Sequence, residues 1–456
     1  MKLIYGIKDR PKFGQVIVFA IQQLLAIMAA TLVVPVIINT SGSMPPFAPQ
    51  MSSAAALFGA GIGTLVYLLF TRFKSPVFLG SSFAFIGSMC SAFAGAISAQ
   101  AGYLGLIIGA VCAGLVYVVI AVIVKFAGVK WIAKLMPAVV IGPTVAIIGL
   151  SLAGNAIGDL QTAPAGGSSY VAILCGLVTL AVTMLCATFG KKMIRLIPFI
   201  MGILAGYAVA ACFTVIGNAA GIDALKVINF APITNLFTDF SIKSIVALPD
   251  FTFVEAMKGI KDIDVAYIGT VAVAYAPVAF VVFAEHIADH KNLSTIIEHD
   301  LLEEPGLHNT LLGDGVGSMA GAIFGGCPNT TYGESVGCVA ITGNASVITI
   351  LTTAVMAIVI SFLSPFVAFV NTIPSCVMGG VCMALYGFIA VSGLKMIQKV
   401  DLEKNRNLFV VSVILITGIG GLSVSFGKVT LTTIACALIL GILANVMLGI
   451  KDGKEE

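Results

Sequence analysis

Runs of about twenty apolar residues recur from one end of this chain to the other, the length an α-helix needs to cross the hydrocarbon of a bilayer. That feature leaves few folds open. In lipid every backbone N–H and C=O must find its partner inside the protein, so a chain spans as helices or as a closed barrel. The runs here are about twice the length of a barrel strand, which selects helices. With 59% hydrophobic and 10% charged residues and a mean hydropathy of +1.08, the sequence is that of an integral membrane protein in contact with a lipid bilayer. The stretch Met1 to Gly14 is polar and basic, and the first apolar run is too long for a signal core, so no cleavable signal is read. The ten cysteines are scattered through apolar runs without C-x-x-C spacing and read as small buried hydrophobes, implying neither a disulfide frame nor a metal knot. A net charge of +3 gives no reason to expect a nucleic-acid partner.

Spans are predicted near 16–38, 52–70, 77–99, 104–126, 137–157, 170–189, 196–218, 264–287, 308–326, 330–343, 346–370, 374–395, 407–424 and 430–449, fourteen in all. With a cytoplasmic N-terminus, the inner segments hold nineteen of the 24 basic residues, from Lys2, Lys8, Arg10 and Lys12 through Lys130, Lys134 and Lys192 to Lys451 and Lys454. The outer segments hold Lys226, Lys243, Lys258, Lys261 and Lys428. That asymmetry places both termini in the cytoplasm of a multi-pass protein of the cell membrane. The long connection Gly217 to Ile263 divides the spans into two sets of seven. Seven is odd, so the second set starts from the opposite side, the arrangement of inverted repeats in secondary transporters. Val34-Pro35-Val36 answers Ala276-Pro277-Val278, and the turn Gly80-Ser81-Ser82-Phe83 in span three answers Thr331-Tyr332-Gly333-Glu334 in span ten. Both members of the second pair read as extended chain leading into a short helix. Matching broken spans point to a substrate site near the midplane.

Half-helices beginning near Phe83 and Gly333 would bring unpaired N–H groups and positive dipole ends to that site, where they suit substrate carbonyl oxygens; the plainer reading is a helix bent at Gly80. Glu334 in span ten and Glu285 in span eight are carboxylates inside apolar runs, and such groups usually face a cavity and handle a substrate or a proton. Burial and nearby N–H donors act on such an acid in opposite senses, the poise a proton carrier needs. Asp289 lies one turn beyond Glu285 on the same helix face, and His286, Asp289 and His290 are expected near the watery cytoplasmic end. His286 and His290 have a spacing that can bind zinc, so an intramembrane metalloenzyme built on Glu285, His286 and His290 is a distant alternative, and histidines at the cytoplasmic mouth are preferred to it. Gln22 and Gln23 read as interhelical hydrogen-bond glue, and Asp314 as a further buried acid. Phe83, Tyr332 and Tyr386 offer flat faces for a planar ring.

Two intramembrane carboxylates, opposed helix N-termini and aromatics suit a small, flat, neutral ligand with N–H donors and C=O acceptors on one edge, as in a nucleobase. Spans one, three, eight and ten contain no Lys or Arg in the expected pocket to attract an anion. The chain resembles the nucleobase/ascorbate transporter family, and within it the bacterial uracil permeases. The likeness runs nearly end to end and is specific at Leu79-Gly80-Ser81-Ser82-Phe83-Ala84-Phe85, Ala284-Glu285-His286, Pro305-Gly306-Leu307-His308, Pro328-Asn329-Thr330-Thr331-Tyr332-Gly333-Glu334 and Val377-Met378-Gly379-Gly380.

The resemblance implies an all-α fold of two inverted seven-span repeats, with short strands in spans three and ten. Residues 1–126 and 264–370 would form a core domain, 127–218 and 371–456 a gate domain mediating a homodimer, and 219–263 an extracellular connection. It implies no cofactor and proton-coupled uptake, with sodium as the alternative coupling ion. Glu285 and Glu334 would bind the base, with the Phe83 and Gly333 amides, Tyr332, Tyr386 and Ala30 beside it, and Glu285, Asp289 and His286 would carry the proton. Three positions depart from the uracil-permease pattern: Gln23 for a His, Asp289 for a His, and Ser335 for an Asn. The Asp at the second is closer to purine-transporting relatives, so a xanthine or purine permease is the alternative to uracil. A receptor that senses bases without moving them leaves no mark in the sequence.

Overall fold

The computed structural model describes residues 3–45, 48–128, 137–163, 165–191, 193–238, 241–426 and 429–449. Lys2, Lys130, Lys134, Lys192, Lys428, Lys451 and Lys454, which contributed to the charge asymmetry, lie outside these residues. Helices α1 (Phe13–Thr40) and α2 (Ser53–Phe70) are followed by a three-residue strand β1 (Leu79–Ser81), a turn of 3₁₀ helix at Phe83–Phe85 and α3 (Ile86–Ala94). The chain continues through α4 (Ala99–Ala127), α5 (Ala138–Ser151), α6 (Ala153–Gln161), α7 (Ser169–Phe189) and α8 (Pro198–Ala220). After a connection with short helices come α9 (Val265–Ile297), α10 (Leu307–Gly325), strand β2 (Asn329–Thr331), α11 (Gly333–Thr342), α12 (Val347–Ser361) and α13 (Ser364–Thr372). Helices α14 (Ser375–Ile397) and α15 (Asn405–Ile419), a hairpin of β3 (Val424–Phe426) and β4 (Val429–Leu431), and α16 (Thr433–Gly449) complete the chain. Eight helical segments among the described residues are long and apolar enough to cross a membrane, and four shorter apolar helices accompany them.

Several elements differ in detail from the spans read in sequence. Span eight does not end at residue 287: α9 runs unbroken to Ile297, past its internal Pro277. The segments near 137–157 and 346–370 are each two helices, jointed at Leu152 and at Phe362-Leu363. A polarity scale finds none of these joints, because the residues at them are as apolar as their neighbours.

Helices α2 and α10 lie close along their length because both present glycine there. Gly59 and Gly63 on α2 face Gly321 and Gly317 on α10, and Gly325 faces Ala55, with backbone against backbone and no room for a Cβ. In lipid, where apolar surface gains nothing by leaving the solvent, such close van der Waals approach is what holds helices together. Helix α4 packs on the other side of α10 and on α9, while α12 packs on α1 and α2. A second set of contacts joins α5 to α14 and α15, and α7 to α8 and α14.

Between the first set of helices the two short strands cross, antiparallel, with Leu79 opposite Thr331, Gly80 opposite Thr330 and Ser81 opposite Asn329. All six residues are buried. Their surroundings supply the partners that water would otherwise give. The Leu79 N–H donates to Thr64 Oγ1 (3.0 Å), the Ser82 N–H to the Pro328 carbonyl (2.9 Å), and Asn329 Nδ2 to the Gly59 carbonyl (3.0 Å). Tyr332 lays its ring over Gly80 and donates its hydroxyl to the Ser81 carbonyl at 2.7 Å. A methyl group at position 80 would overlap that ring. Gly80→Ala is therefore expected to lower stability by about 1–3 kcal/mol, the usual range for overpacking a filled core, read as a fall in melting temperature of the detergent-solubilised protein. An unchanged melting temperature would show that the Tyr332 ring is free to move aside.

Candidate functional site

Each strand ends where a helix begins, and there the first backbone N–H groups have no intrahelical carbonyl to bond. Phe83 opens the 3₁₀ turn that runs into α3, and Gly333 opens α11. Both border a cavity of about 430 Å³, within the size range of small-molecule sites. Helix α9 presents Val281, Ala284, Glu285, Ala288 and Asp289 to it, residues whose spacing places them on one helical face. Helix α11 adds Glu334 in its first turn, and the strands add Ser82, Thr330, Thr331 and Tyr332. The opposite wall is nearly all apolar: Val145 and Ile148 from α5, Phe199 from α8, and Leu385, Phe388, Ile389, Ser392 and Met396 from α14.

Three carboxylates thus meet one hollow. Glu285 is exposed to it, and Gly333 beside it is also open. Asp289 is steadied from behind, because Thr331 Oγ1 donates to its Oδ2 at 2.9 Å. No Lys or Arg is among the lining residues. The polar wall can accept N–H donors at the carboxylates and donate to C=O groups from the helix ends. The apolar wall can cover a ring. A flat molecule with alternating donors and acceptors on its edge meets both demands, whereas an anion would face acids without a counter-charge.

The structure brings together Glu285, Glu334, Phe83, Gly333, Tyr332 and Asp289. It does not bring Ala30 or Tyr386 to the cavity surface. Ala30 is fully buried within α1. Tyr386 is buried and meets the Phe83 ring edge to face, with centroids 6.3 Å apart. His286 and His290 are corrected most. They were expected at a watery mouth, but α9 continues for further turns and both side chains are buried on the face that turns from the cavity. His286 Nδ1 hydrogen-bonds with Asp314 Oδ2 at 2.7 Å and its Nε2 with Thr310 Oγ1 at 3.0 Å. His290 Nε2 hydrogen-bonds with the Tyr67 hydroxyl at 2.7 Å, and that hydroxyl with Ser75 Oγ at 2.7 Å. Glu285 therefore points away from the two histidines, and the zinc-site alternative fails on geometry. Among the described residues no group of three or more His, Cys, Asp or Glu side chains is placed to hold a metal ion.

Gln23 is glue, as read. Its Nε2 donates to Ser335 Oγ at 2.5 Å, and the Phe78 N–H donates to the same oxygen at 3.1 Å, so one serine joins α1, the entry to β1 and α11 next to Glu334. Thr331, the support of Asp289, cannot be found from sequence, because a threonine in a strand carries no chemical signal of its own. The apolar wall left none either.

A family model described as a permease family matches residues 14–426. The uracil permease of Bacillus caldolyticus is 37% identical over 450 residues, spanning 98% of this chain and 95% of that protein. The uracil permease of Bacillus subtilis (strain 168) is 36% identical, over 100% and 97%. Among solved structures, the transmembrane domain of the cyanobacterial bicarbonate transporter BicA superposes with a TM-score of 0.59 at 15% identity, covering 97% of this chain and 100% of that one. The murine anion transporter Slc26a9 in its inward-facing state gives 0.61 at 13% identity, covering 98% and 69%. At such identities these likenesses concern the fold alone.

Ser335→Ala leaves two buried donors, Gln23 Nε2 and the Phe78 N–H, without their acceptor, and is expected to cost about 1–3 kcal/mol in thermal unfolding. The Gln23→Met, Ser335→Ala double variant should lose less than the sum of the two single losses, as for residues in one network; strict additivity would mean that the hydrogen bond contributes nothing.

Proposed function

The chain belongs to the nucleobase/ascorbate transporter family, whose members are permeases and not enzymes, and on that premise we propose that it takes up a nucleobase, uracil by preference, in symport with protons. The observation that carries this reading is the convergence of Glu285, Glu334 and the helix starts at Phe83 and Gly333 on one cavity with an apolar far wall. In it the ring N–H groups donate to Glu285 and Glu334, the ring carbonyls accept from the Phe83 and Gly333 amides, and the ring face lies against the apolar wall. Glu285, with Asp289 one turn along the same face, carries the coupled proton. His286, turned into the helix packing, has no part in that step.

Eight long apolar helices, the four shorter ones and the two segments Leu307–Gly325 and Gly333–Thr342 support a count of fourteen spans. The antiparallel crossing of β1 with β2, each followed by a short helix, supports two inverted repeats. In this reading α1–α4 and α9–α13 form a core that holds the base, and α5–α8 with α14–α16 form the gate and the contact surface of a homodimer. On the charge rule the cavity runs toward the cytoplasm, since it reaches Ser392 and Met396 beside Lys395. A second hollow of about 790 Å³, bordered by Asn39, Asp250, Glu255 and Asn371, then lies on the outer side. Two hollows on opposite sides support access that alternates as core and gate move past one another. The acid at 289 favours one second reading, a purine such as xanthine, for which a cavity of about 430 Å³ is large enough.

In proteoliposomes, an inward acid gradient is expected to drive accumulation of labelled uracil, and Glu285→Gln and Glu334→Gln each to lower it at least tenfold while the variants keep a cooperative melting transition. Undiminished uptake by both variants would refute the assignment. Competition by unlabelled xanthine more effective than by uracil would move the substrate to the purines.

A further inference from the structure

The connection from Gly217 to Ile263 carries four lysines, Asp250, Glu255 and Asp262, too many charges for hydrocarbon, yet it exposes large apolar side chains that the transport reading does not use. Three of its short helical pieces, Ile242–Ser244, Thr252–Lys258 and Ile260–Asp262, each set one of them beside a lysine. Ile242 is 84% exposed next to Lys243, Met257 58% next to Lys258, and Ile260 59% next to Lys261. In Thr252–Lys258 the usual polarity is inverted. Thr252 and Ala256 share the face buried in the protein, while Val254, Met257 and Lys258 share the face turned outward.

The pieces are pinned to the ends of apolar helices. The Ser364 N–H donates to the Ile245 carbonyl and the Ala247 N–H to the Phe362 carbonyl, both at 3.0 Å, which seats residues 245–247 on the joint between α12 and α13. Phe251 packs against Phe58 near the start of α2 and Phe324 near the end of α10. Gly259 lies against the Gln100 backbone in the first turn of α4, and Ser98 Oγ donates to Asp262 Oδ2 at 2.6 Å. A segment held where spans end lies at the level of the lipid headgroups. There an apolar side chain can enter the leaflet while a lysine beside it reaches a phosphate.

We propose that this connection is an interfacial anchor: Ile242, Met257 and Ile260 enter the leaflet, and Lys243 and Lys261 bind the phosphates of anionic lipids. On the reading that places the connection outside, the leaflet is the outer one. Exposed apolar side chains on every piece suit a membrane better than water, and the cores of protein interfaces are poor in lysine, so a second copy of the chain fits this surface less well.

The chain has one tryptophan, Trp131, so a Trp131→Phe background lets Ile242→Trp or Ile260→Trp report its own surroundings in the full chain. In phosphatidylcholine vesicles both reporters are expected to be quenched by brominated phosphatidylcholine and shielded from aqueous acrylamide. At equal mole fraction brominated phosphatidylglycerol should quench about twofold more strongly, through enrichment at the lysines, and Lys243→Gln with Lys261→Gln should abolish that difference. Quenching by acrylamide and not by lipid would place the connection in water, and quenching by neither would place it against protein. Either result, or equal quenching by the two brominated lipids, overturns the proposal. No readout here involves transport, so such a failure would leave the substrate reading untouched.

Discussion

Backbone that leaves the helix inside hydrocarbon has to be paired by the protein itself, and everything at the centre of this molecule follows from how that is done. Two three-residue strands pair with one another, the ladder continues from the Ser82 N–H to the Pro328 carbonyl, and Thr64 and Ser335 take up the Leu79 and Phe78 N–H groups. Asn329, reaching across to Gly59, locks the crossing to the α2–α10 seam. Because the spans break there, two helices begin in mid-protein and leave their first N–H groups facing a hollow. Unbroken helices would have filled the same volume with apolar side chains and offered a ligand nothing. The glycines of α2 and α10 serve the same end, since only backbones in contact leave the strands so tightly held.

Helix α9 solves a related problem with its two faces. Four of its ionisable residues come as two adjacent pairs, Glu285 with His286 and Asp289 with His290, and a period of 3.6 residues sends the members of each pair in different directions. The acids face the cavity. The imidazoles face α2 and α10, where Tyr67, Thr310 and Asp314 satisfy them. Charged groups in lipid are costly unless they meet water, a ligand or a partner, and the alternation gives the acids a cavity and the histidines partners. A residue next in sequence to a cavity-lining carboxylate can thus be wholly occupied with packing.

Much of this was legible in the sequence. Span length and hydropathy locate the membrane helices, because those properties act within one segment. Glu285 and Glu334 stand out because a carboxylate in an apolar run has few explanations, and both do line the cavity. What the sequence concealed depends on contacts between segments. The length of α9 beyond residue 287 is set by packing, since its last turns are too polar to read as a span. The burial of His286 depends on Asp314, which lies 28 residues away. Ala30 and Tyr386 are buried among their neighbours and do not line the hollow, which depends on packing that the sequence does not display.

Of the three positions that depart from the uracil-permease pattern, two turn out to be one. Gln23 and Ser335 are 312 positions apart in sequence and hydrogen-bonded to each other. A side-chain amide donates to a hydroxyl, which also accepts from the Phe78 amide, so the two positions belong to one local network. Exchanging both members together keeps α1, the entry to β1 and α11 in register, whereas exchanging one would strand a buried donor. That pair therefore bears on how Glu334 is held and carries little information about the ligand. Asp289 is different. Its partner Thr331 belongs to the strand, its carboxylate borders the cavity, and it adds a third acid where a histidine would have brought a donor. Of the three departures, Asp289 is thus the one that borders the cavity.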